Sequence, residues 1–171
     1  MKAVVQRVSF ARVRVAGELV GEIGPGLLVL ACAVRGDGPA ESRALAEKIA
    51  GYRVFEDAHG RMNLSAQDLR RPILLVSQFT LAADGRRGRR PSFDAALEPG
   101  AAAERLRELA RALTERGLPV AEGRFGASME VELLNAGPAT FLLACPPGAG
   151  CPPLPARAAA PAPTAPRCRS G

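Results

Sequence analysis

The chain has 171 residues, of which 47% are hydrophobic, and a formal net charge of +6. That length suffices for one globular domain with a buried core, but hardly for two. The first ten residues carry charges at Lys2 and Arg7, which excludes the long apolar stretch of a signal peptide or a membrane span there. We therefore expect a soluble, cytoplasmic protein.

The cysteine and histidine positions argue against a metal site. The four cysteines, Cys32, Cys145, Cys151 and Cys168, form no C-x-x-C pair, and His59 is the sole histidine. No zinc-ligand spacing can be assembled from these residues. We expect reduced thiols, and neither a metal nor another cofactor.

The composition changes after Cys145. Residues 146–171 contain eight Pro and seven Ala but no acidic residue, which predicts a disordered tail behind a folded domain of residues 1–145. Without the three arginines of the tail, the net charge of the first 145 residues is +3. So small an excess fits binding to a polyanion such as RNA and fits an ordinary solvated surface equally well.

Strand patterns dominate the beginning of the chain. Residues 3–8 and 11–16 alternate apolar and polar side chains, and we interpret them as a pair of strands with one buried face. A third strand is predicted at 18–23, followed by a turn at Gly24-Pro25-Gly26. The apolar run at 27–34 is typical of a strand buried on both faces, so we expect the core to begin there.

Helical and strand patterns alternate in the rest of the domain. Residues 40–52 and 101–116 each place apolar side chains on one helical stripe, and Gly117 stands where a left-handed residue ends the second helix. Further strands are predicted at 73–82, 128–134 and 139–145. The fold class is therefore α/β, with strand-dominated layered sheets and two amphipathic helices.

Polar residues interrupt the apolar pattern in two places. In the first, Ser77, Gln78 and Thr80 continue an apolar run, which indicates either a functional segment or a strand end that reaches the surface. In the second, LNAGPATF at 134–141, a functional role competes with an ordinary Asn-containing turn between antiparallel strands.

Taken together, SQFTL and N-x-G-P-x-T, in this order and spacing, resemble the paired signature of the D-aminoacyl-tRNA deacylases. Residue 139 is Ala where this family is expected to have Val, a small loss of bulk that should leave the backbone unchanged. The resemblance covers essentially all of residues 1–145 and includes QRV (6–8), GEIGPGLLVL (21–30), GYRVF (51–55), MNLS (62–65), SQFTLAAD (77–84), RPSF (90–93) and GRFGASM (123–129).

The resemblance implies a homodimer that acts on aminoacyl-tRNA. In such enzymes the Gly-Pro bond is cis, and each subunit inserts this dipeptide, here Gly137-Pro138, into the active site of its partner. The two backbone carbonyls would hold the ammonium group of a D-aminoacyl ester, whereas an L side chain would collide with the backbone. Glycine lacks the excluded side chain, so glycyl-tRNA, including mischarged tRNA-Ala, is an expected substrate.

The resemblance also assigns roles to residues around this dipeptide. Arg7 would hold the Gly-Pro carbonyls, although an exposed charge on a strand is the simpler alternative. Asn135 belongs to the same chiral-selection segment. Phe79 and Met129 would wall the adenosine and acyl pocket, with plain core packing as the alternative for Met129.

For the reaction, the catalytic segment is Ser77-Gln78-Phe79-Thr80. An aminoacyl ester is activated, so attack by water needs mainly positioning and stabilisation of the oxyanion, which backbone N–H groups of this segment would supply. Thr80 is a conceivable nucleophile, but nothing nearby in sequence would activate it, and a ribose 2′-OH of the RNA is a candidate assistant. His59 is expected to be exposed and inert, and Cys32 to lie in the core.

Arginines follow the catalytic segment directly. Arg86, Arg87, Arg89 and Arg90 would track the phosphates of an acceptor stem, with a solvated loop as the alternative. Two other functions stay open at this point. One is a non-enzymatic nucleic-acid-binding protein that uses these arginines and the tail, and the other is a catalytically silent dimer.

Overall fold

The computed structural model describes residues 1–86 and 88–148. The prediction of a disordered tail falls almost wholly on residues 149–171, which lie outside the described residues, as does Arg87. The domain boundary after residue 145 therefore stays a prediction. Within the described residues, no helix is long and apolar enough to cross a membrane.

The fold is mixed α/β and dominated by strands, as the sequence predicts, but the described residues form three helices rather than two. The helices are α1 (Pro39–Gly51), α2 (Ala66–Leu69) and α3 (Pro99–Glu115). The strands are β1 (Lys2–Val15), β2 (Glu18–Ile23), β3 (Gly26–Cys32), β4 (Arg53–Glu56), β5 (Met62–Ser65), β6 (Ile73–Ser77), β7 (Val120–Glu122) and β8 (Glu130–Ala144).

Strand β1 organises the main sheet. The sheet has six strands. Five follow the order β2-β1-β3-β6-β7, and the sixth, β8, pairs with β1 outside this order. The pairs of β1 with β2, β3 and β8 are antiparallel, whereas β3, β6 and β7 run parallel to one another. Strands β4 and β5 form a separate hairpin.

The prediction of two strands at 3–8 and 11–16 is wrong, because β1 continues through both segments. The residues between them, Ser9 and Phe10, include no Gly, Pro, Asn or Asp that would favour a turn. The two halves of β1 differ in partner instead. Lys2–Val8 pairs with β3, and Ala11–Val15 pairs with β2.

Buried side chains lie on both faces of β3 and β6, as predicted for 27–34. On one face, Leu27, Val29 and Ile73 pack with α1 and α3, while on the other Leu28 and Leu74 form a second cluster with β1 and β2. Alternate residues of a strand point to opposite faces, so both clusters come from the same two strands. Strand β3 ends at Cys32, two residues before the predicted end.

Both predicted amphipathic helices are confirmed. Each begins slightly earlier than predicted, at Pro39 and Pro99, because proline is well tolerated in the first helical turn. Gly117 has φ +79° just beyond the end of α3, as expected of a left-handed residue at this position.

The predicted strand at 73–82 is wrong in its second half. Strand β6 ends at Ser77, and Phe79–Ala82 forms a 3₁₀ turn, hereafter the 79–82 turn. Leu81 donates its N–H to the carbonyl of Gln78 (3.2 Å) and Ala83 donates to Thr80 (3.0 Å). These local hydrogen bonds replace the ladder bonds that a continued strand would need.

The two ends of the described chain meet at the start of α1. The amino group of Met1 forms a buried ion pair with Asp37 (2.7 Å) and also donates to the carbonyl of Cys145. Glu41, in the first turn of α1, accepts hydrogen bonds from the N–H groups of Gly38 (2.8 Å) and Gly148 (3.0 Å). These two backbone bonds lower the pKa of Glu41.

Candidate active site

A cleft of about 720 Å³ opens at the carboxyl end of β6, where the Ser77-Gln78-Phe79 segment begins. In open α/β sheets, ligands commonly bind beyond the carboxyl ends of the parallel strands. The residues that line the cleft are mostly apolar or aromatic, with Ser77, Gln78, Arg35, Asp94 and Glu98 as polar members. Such a composition suits a ligand with an extended apolar or aromatic surface.

Aromatic side chains form the walls. Phe79 is 60% exposed and packs edge-on against Phe93, with ring centroids 5.0 Å apart, and Phe125 is also exposed. Phe93 and Phe125 lie in segments that carry the family resemblance, but no role was predicted for them from the sequence. Phe125 stands between Arg124 and Gly126, and an aromatic residue in so polar a loop is a signal that points to a binding surface.

Three of the four residues of the predicted catalytic segment line the cleft, as does Met129. Thr80 lies beside them in the 79–82 turn, where its hydroxyl accepts a hydrogen bond from the side-chain amide of Gln78. The structure therefore gathers Ser77, Gln78, Phe79, Thr80 and Met129 in one place. Met129 is partly buried and packs against the cluster beneath it, so it is both a lining residue and a core residue.

The 79–82 turn presents unpaired backbone donors. Within the described residues, the N–H groups of Phe79 and Thr80 have no hydrogen-bond acceptor. The first N–H groups of any helical turn lack intrahelical partners, and here the turn begins at the cleft. Such donors are suited to a negative oxygen that develops on a substrate.

Cys32 lies under this turn and not in the reacting position. Its side chain is 2% exposed, and its Sγ contacts the carbonyl oxygens of Ala33 (3.3 Å) and Phe79 (3.7 Å). Burial raises the pKa of the Cys32 thiol. The prediction of a core cysteine is confirmed, and the thiol is poorly suited to be a nucleophile.

The predicted strands at 128–134 and 139–145 require a turn or a break in the LNAGPATF stretch, and this prediction is wrong. Strand β8 continues through it and forms a wide bulge. Gln6 pairs with Thr140 and Val8 with Asn135, so the four residues 136–139 oppose the single residue Arg7. Because β1 is one continuous partner, both halves of β8 stay in one ladder and the bulge absorbs the extra residues.

Asn135 closes the base of this β8 bulge, residues 136–139. Its side chain donates to the hydroxyl of Thr140 (2.9 Å) and accepts from the N–H of Ala139 (2.8 Å). Ala139 is buried, whereas Gly137 and Pro138 are exposed at the tip. The bulge therefore presents the dipeptide to solvent from a closed base.

The Gly137-Pro138 peptide bond is trans, since none of the peptide bonds between described residues is cis. The cis bond implied by the resemblance is therefore wrong for this structure. A trans X-Pro bond is favoured by about 0.5 to 1 kcal/mol unless its surroundings fix the other form. Within the bulge, Gly137 has a φ of +128°, which is rare for other residues.

Arg7 holds the bulge from β1. Its Nε donates to the carbonyl of Ala136 (3.0 Å), its Nη1 donates to the carbonyl of Val54 (2.8 Å), and Nη2 lies 3.5 Å from Glu56. The side chain is 12% exposed, so it is not a solvated strand charge. It contacts the carbonyl before Gly137, not those of Gly137 and Pro138 as the resemblance implied.

The bulge and the cleft lie apart within one chain. Neither Gly137 nor Pro138 lines the cleft. Arg7 faces the bulge, while Lys2 lies at the 79–82 turn, where its Nζ is 3.3 Å from the carbonyl of Leu81. Five residues of a strand span about 16 Å, so the chain does not bring its own dipeptide to its own catalytic segment.

The arginine-rich segment forms a loop beside the cleft. A pair of backbone hydrogen bonds between Asp84 and Ser92 closes its base. Arg86 pairs with Asp84 (2.6 Å) and thereby lowers the pKa of that carboxyl, whereas Arg89 and Arg90 are exposed. His59, in the β4–β5 turn, is exposed as predicted.

The profile of the D-Tyr-tRNA(Tyr) deacylase family matches residues 4–144. The chain belongs to this family. The resemblance found in the sequence is thereby confirmed over nearly all of the domain for which it was stated.

Relatives of the D-Tyr-tRNA(Tyr) deacylase family match at high identity. A D-aminoacyl-tRNA deacylase of Halorhodospira halophila is 56% identical over 148 residues, which cover 86% of this chain and 96% of that protein. Another, of Cereibacter sphaeroides, is 54% identical over 82% of this chain and 97% of its own length.

Solved structures also match the fold. The structure of a c-Myc DNA unwinding element binding protein superposes with a TM-score of 0.80 at 38% identity, over 85% of this chain and 99% of that one. A probable eukaryotic D-amino acid tRNA deacylase superposes with a TM-score of 0.70 over 83% of this chain and 97% of that one. At 16% identity, the second likeness shows the fold alone.

Proposed function

We propose that this protein hydrolyses the ester bond of D-aminoacyl-tRNA, releasing the D-amino acid and tRNA, and that it accepts glycyl-tRNA and rejects L-aminoacyl esters. The observation that carries the proposal is the 79–82 turn beside the apolar cleft, where the N–H groups of Phe79 and Thr80 have no acceptor among the described residues. The names of the relatives support this substrate class. Hydrolysis of aminoacyl-tRNA is a step of translation quality control, and its expected place is the cytoplasm.

Stabilisation of the oxyanion is the main catalytic contribution. The N–H groups of Phe79 and Thr80 bind the ester oxygen as it becomes negative, beside the apolar walls of the cleft. Ser77 and Gln78 fix the start of the turn. The nucleophile is water, which forms the new C–O bond as the ester bond to the ribose breaks and the ribose hydroxyl leaves; the neighbouring 2′-OH assists the water. The Thr80 hydroxyl has no adjacent base, and its lone pair accepts from Gln78, so it positions and does not attack.

Aromatic residues bind the terminal adenosine. Phe79 is supported edge-on by Phe93, which leaves much of its surface open to a base. Stacking on such a ring is tolerant of the amino acid attached to the ribose. Met129, with its adaptable thioether, lines the wall of the acyl site.

Chiral selection depends on a second copy of the chain. In the proposed homodimer, Gly137 and Pro138 of one protomer enter the cleft of its partner, and their backbone carbonyls accept hydrogen bonds from the substrate ammonium group. The proposal is supported by the exposure of the dipeptide, by its absence from the cleft of its own chain, and by the closed base of the β8 bulge. An L side chain would meet this backbone, and glycine has no side chain to exclude.

The arginine loop binds the acceptor stem. Arg86, Arg87, Arg89 and Arg90 supply charge for phosphates, which gives affinity without sequence readout. Arg89 and Arg90 are exposed, whereas Arg86 is paired with Asp84 and contributes less free charge.

The deciding experiment is hydrolysis of D-tyrosyl-, L-tyrosyl- and glycyl-tRNA by the purified protein. We expect cleavage of the D and glycyl esters, with the L ester retained. The double variant Gly137→Ala, Pro138→Ala should lose both activities. The matched control is Gly24→Ala, Pro25→Ala, which alters another exposed Gly-Pro dipeptide, between β2 and β3, and should leave activity unchanged.

A different outcome would favour another function. If none of the three esters is cleaved by folded protein that binds tRNA, the enzyme proposal is wrong and the arginine loop is a nucleic-acid-binding surface. The likeness to a c-Myc DNA unwinding element binding protein makes DNA the natural second ligand in that assay.

A further inference from the structure

We propose that Lys2 is a positioning residue for the reaction, because its ammonium group holds the 79–82 turn, whose N–H groups at Phe79 and Thr80 are the proposed oxyanion donors. This inference rests on the proposed function and adds a residue on β1 to the catalytic machinery.

The contact is direct. Lys2 Nζ donates a hydrogen bond to the carbonyl of Leu81, 3.3 Å away, near the end of the turn. Two other contacts hold the same turn from β3: the N–H of Gln78 donates to Ala31 (2.8 Å), and Cys32 Sγ lies 3.7 Å from the carbonyl of Phe79. Of the three contacts, that of Lys2 is the charged one.

The base of the Lys2 side chain is fixed on every side. Its backbone pairs with Cys32 on β3 and with Ala144 on β8. The preceding residue, Met1, is held by the buried ion pair with Asp37. The ammonium group is therefore tethered to the most firmly anchored end of β1, and replacement of this exposed side chain leaves those backbone contacts intact.

The charge of Lys2 acts on both sides of the turn. Burial raises the pKa of Cys32, beneath the turn, and the charge of Lys2 opposes that rise. Hydrogen bonds from Arg86 lower the pKa of the Asp84 carboxyl, which follows the turn, and Lys2 adds a smaller effect in the same direction. Both effects fit an ammonium group beside the turn, where its contact with Leu81 places it.

The contact bears on catalysis through geometry. A four-residue 3₁₀ turn has few internal hydrogen bonds, and here only short-range bonds and the contacts with β1 and β3 fix its peptide planes. If one carbonyl loses its partner, the turn gains freedom to rotate and its N–H donors point less accurately at the oxyanion. Misplaced donors reduce kcat more than substrate affinity.

The composition of the chain offers a matched control. The sequence has 21 arginines but two lysines, Lys2 and Lys48. Lys48 lies in the last turn of α1 and makes no contact with the 79–82 turn. A Lys48→Met variant therefore removes the same charge from a distant position.

The experiment compares wild-type protein with Lys2→Met, Lys2→Arg and Lys48→Met by kcat and KM for D-tyrosyl-tRNA, together with melting temperature. We expect Lys2→Met to lower kcat by about fivefold, with KM and melting temperature nearly unchanged. Lys2→Arg should restore most of the rate, because it keeps a charged donor, and Lys48→Met should match wild type.

Other outcomes are decisive. A raised KM with weaker salt dependence and an intact kcat would overturn the inference, because Lys2 would then be a phosphate contact. A kcat of Lys2→Met equal to that of wild type would overturn the inference as well. If Lys2→Met lowers the melting temperature, kcat is compared at a temperature at which both proteins are fully folded; a lower kcat there supports the inference, and a wild-type kcat overturns it. Wild-type protein that cleaves no D-aminoacyl ester would contradict the proposed function itself, so the two failures are distinguishable.

Discussion

The guanidinium group of Arg7 holds the main chain of Ala136, with Nε 3.0 Å from the carbonyl oxygen, one residue before the exposed dipeptide. The same side chain reaches Val54 in the β4–β5 hairpin. It therefore joins the β8 bulge to a second element, and both contacts would be lost together on substitution.

Replacement of Arg7 by Met should lower both stability and D-ester selectivity. Two backbone carbonyls lose a charged donor in a site that is mostly buried, so we expect a loss of about 2 to 3 kcal/mol in the free energy of unfolding. Urea unfolding and the ratio of D- to L-tyrosyl-tRNA hydrolysis measure the two effects. Arg14→Met, which removes another β1 arginine whose guanidinium donates to the carbonyl of Gly17 away from the bulge, is the control, and an unchanged D-to-L ratio in Arg7→Met would contradict the role.

Gly137→Ala should cost more stability than a similar change at another glycine. A Cβ at residue 137 would lie 2.7 Å from Nη2 of Arg7, and the φ of +128° disfavours any L side chain. Gly60 also has a positive φ, +73°, but open space around its Cβ position. We expect about 1 kcal/mol for Gly60→Ala and at least 1 kcal/mol more for Gly137→Ala. Equal losses would show that the contact with Arg7 yields freely.

Thr80→Ala should keep most of the hydrolytic rate. The proposed oxyanion donor at this residue is the backbone N–H, which the substitution preserves, and the hydroxyl is placed to accept from Gln78. A fall in kcat within about tenfold fits a positioning role. Complete loss of hydrolysis in a folded Thr80→Ala variant would contradict this role and require a different mechanism.

Glu41 should make stability fall in acid. Hydrogen bonds from Gly38 and Gly148 lower its folded pKa, so the carboxylate stabilises the fold above its unfolded pKa of about 4.3 and loses that contribution as pH falls through the lower folded pKa. Urea midpoints of wild type and Glu41→Gln should differ at pH 7 and converge near pH 3. A difference that persists unchanged into acid would show that the charge of Glu41 is not what these N–H groups require.

Arg89→Ala, Arg90→Ala should weaken tRNA binding evenly across tRNAs. Two fewer phosphate contacts should reduce the slope of log affinity against log salt by about 2. The control removes two cations elsewhere, Arg61→Ala and Lys48→Ala, and should leave the slope unchanged. Loss of hydrolysis with binding intact would place these arginines in the reaction rather than in docking.

The parts of the fold that depend on local pattern were predictable. The spacing of apolar residues predicts the amphipathic helices α1 and α3 and the strand β3. Burial on one face or on two faces dictates that spacing. The alternation in 3–8 and in 11–16 predicts strands but does not show where a strand ends. The residues between them, Ser9 and Phe10, do not favour a turn, and this indicates one continuous strand.

The active-site features depend on distant partners. The bulge in β8 exists because β1 pairs on both sides of it, and no window around Asn135 contains that information. The alternation of apolar Phe79 and Leu81 predicts a strand, whereas contacts with Lys2, Ala31 and Cys32 fix the backbone of this segment as the 79–82 turn. Family resemblance found these residues, although it could not supply their geometry.

In the β8 bulge, the residues that hold the strand in the sheet differ from the two residues proposed to contact the substrate. Asn135, Ala139 and Arg7 secure its base, while the two tip residues make no contact on which the strand pairing depends. Of the two tip residues, Gly137 is constrained by its φ and by Arg7, so Pro138 is the one that can change without compensation elsewhere in the fold. In the proposed dimer, selectivity is open to gradual change by evolution, and to redesign, at this one residue.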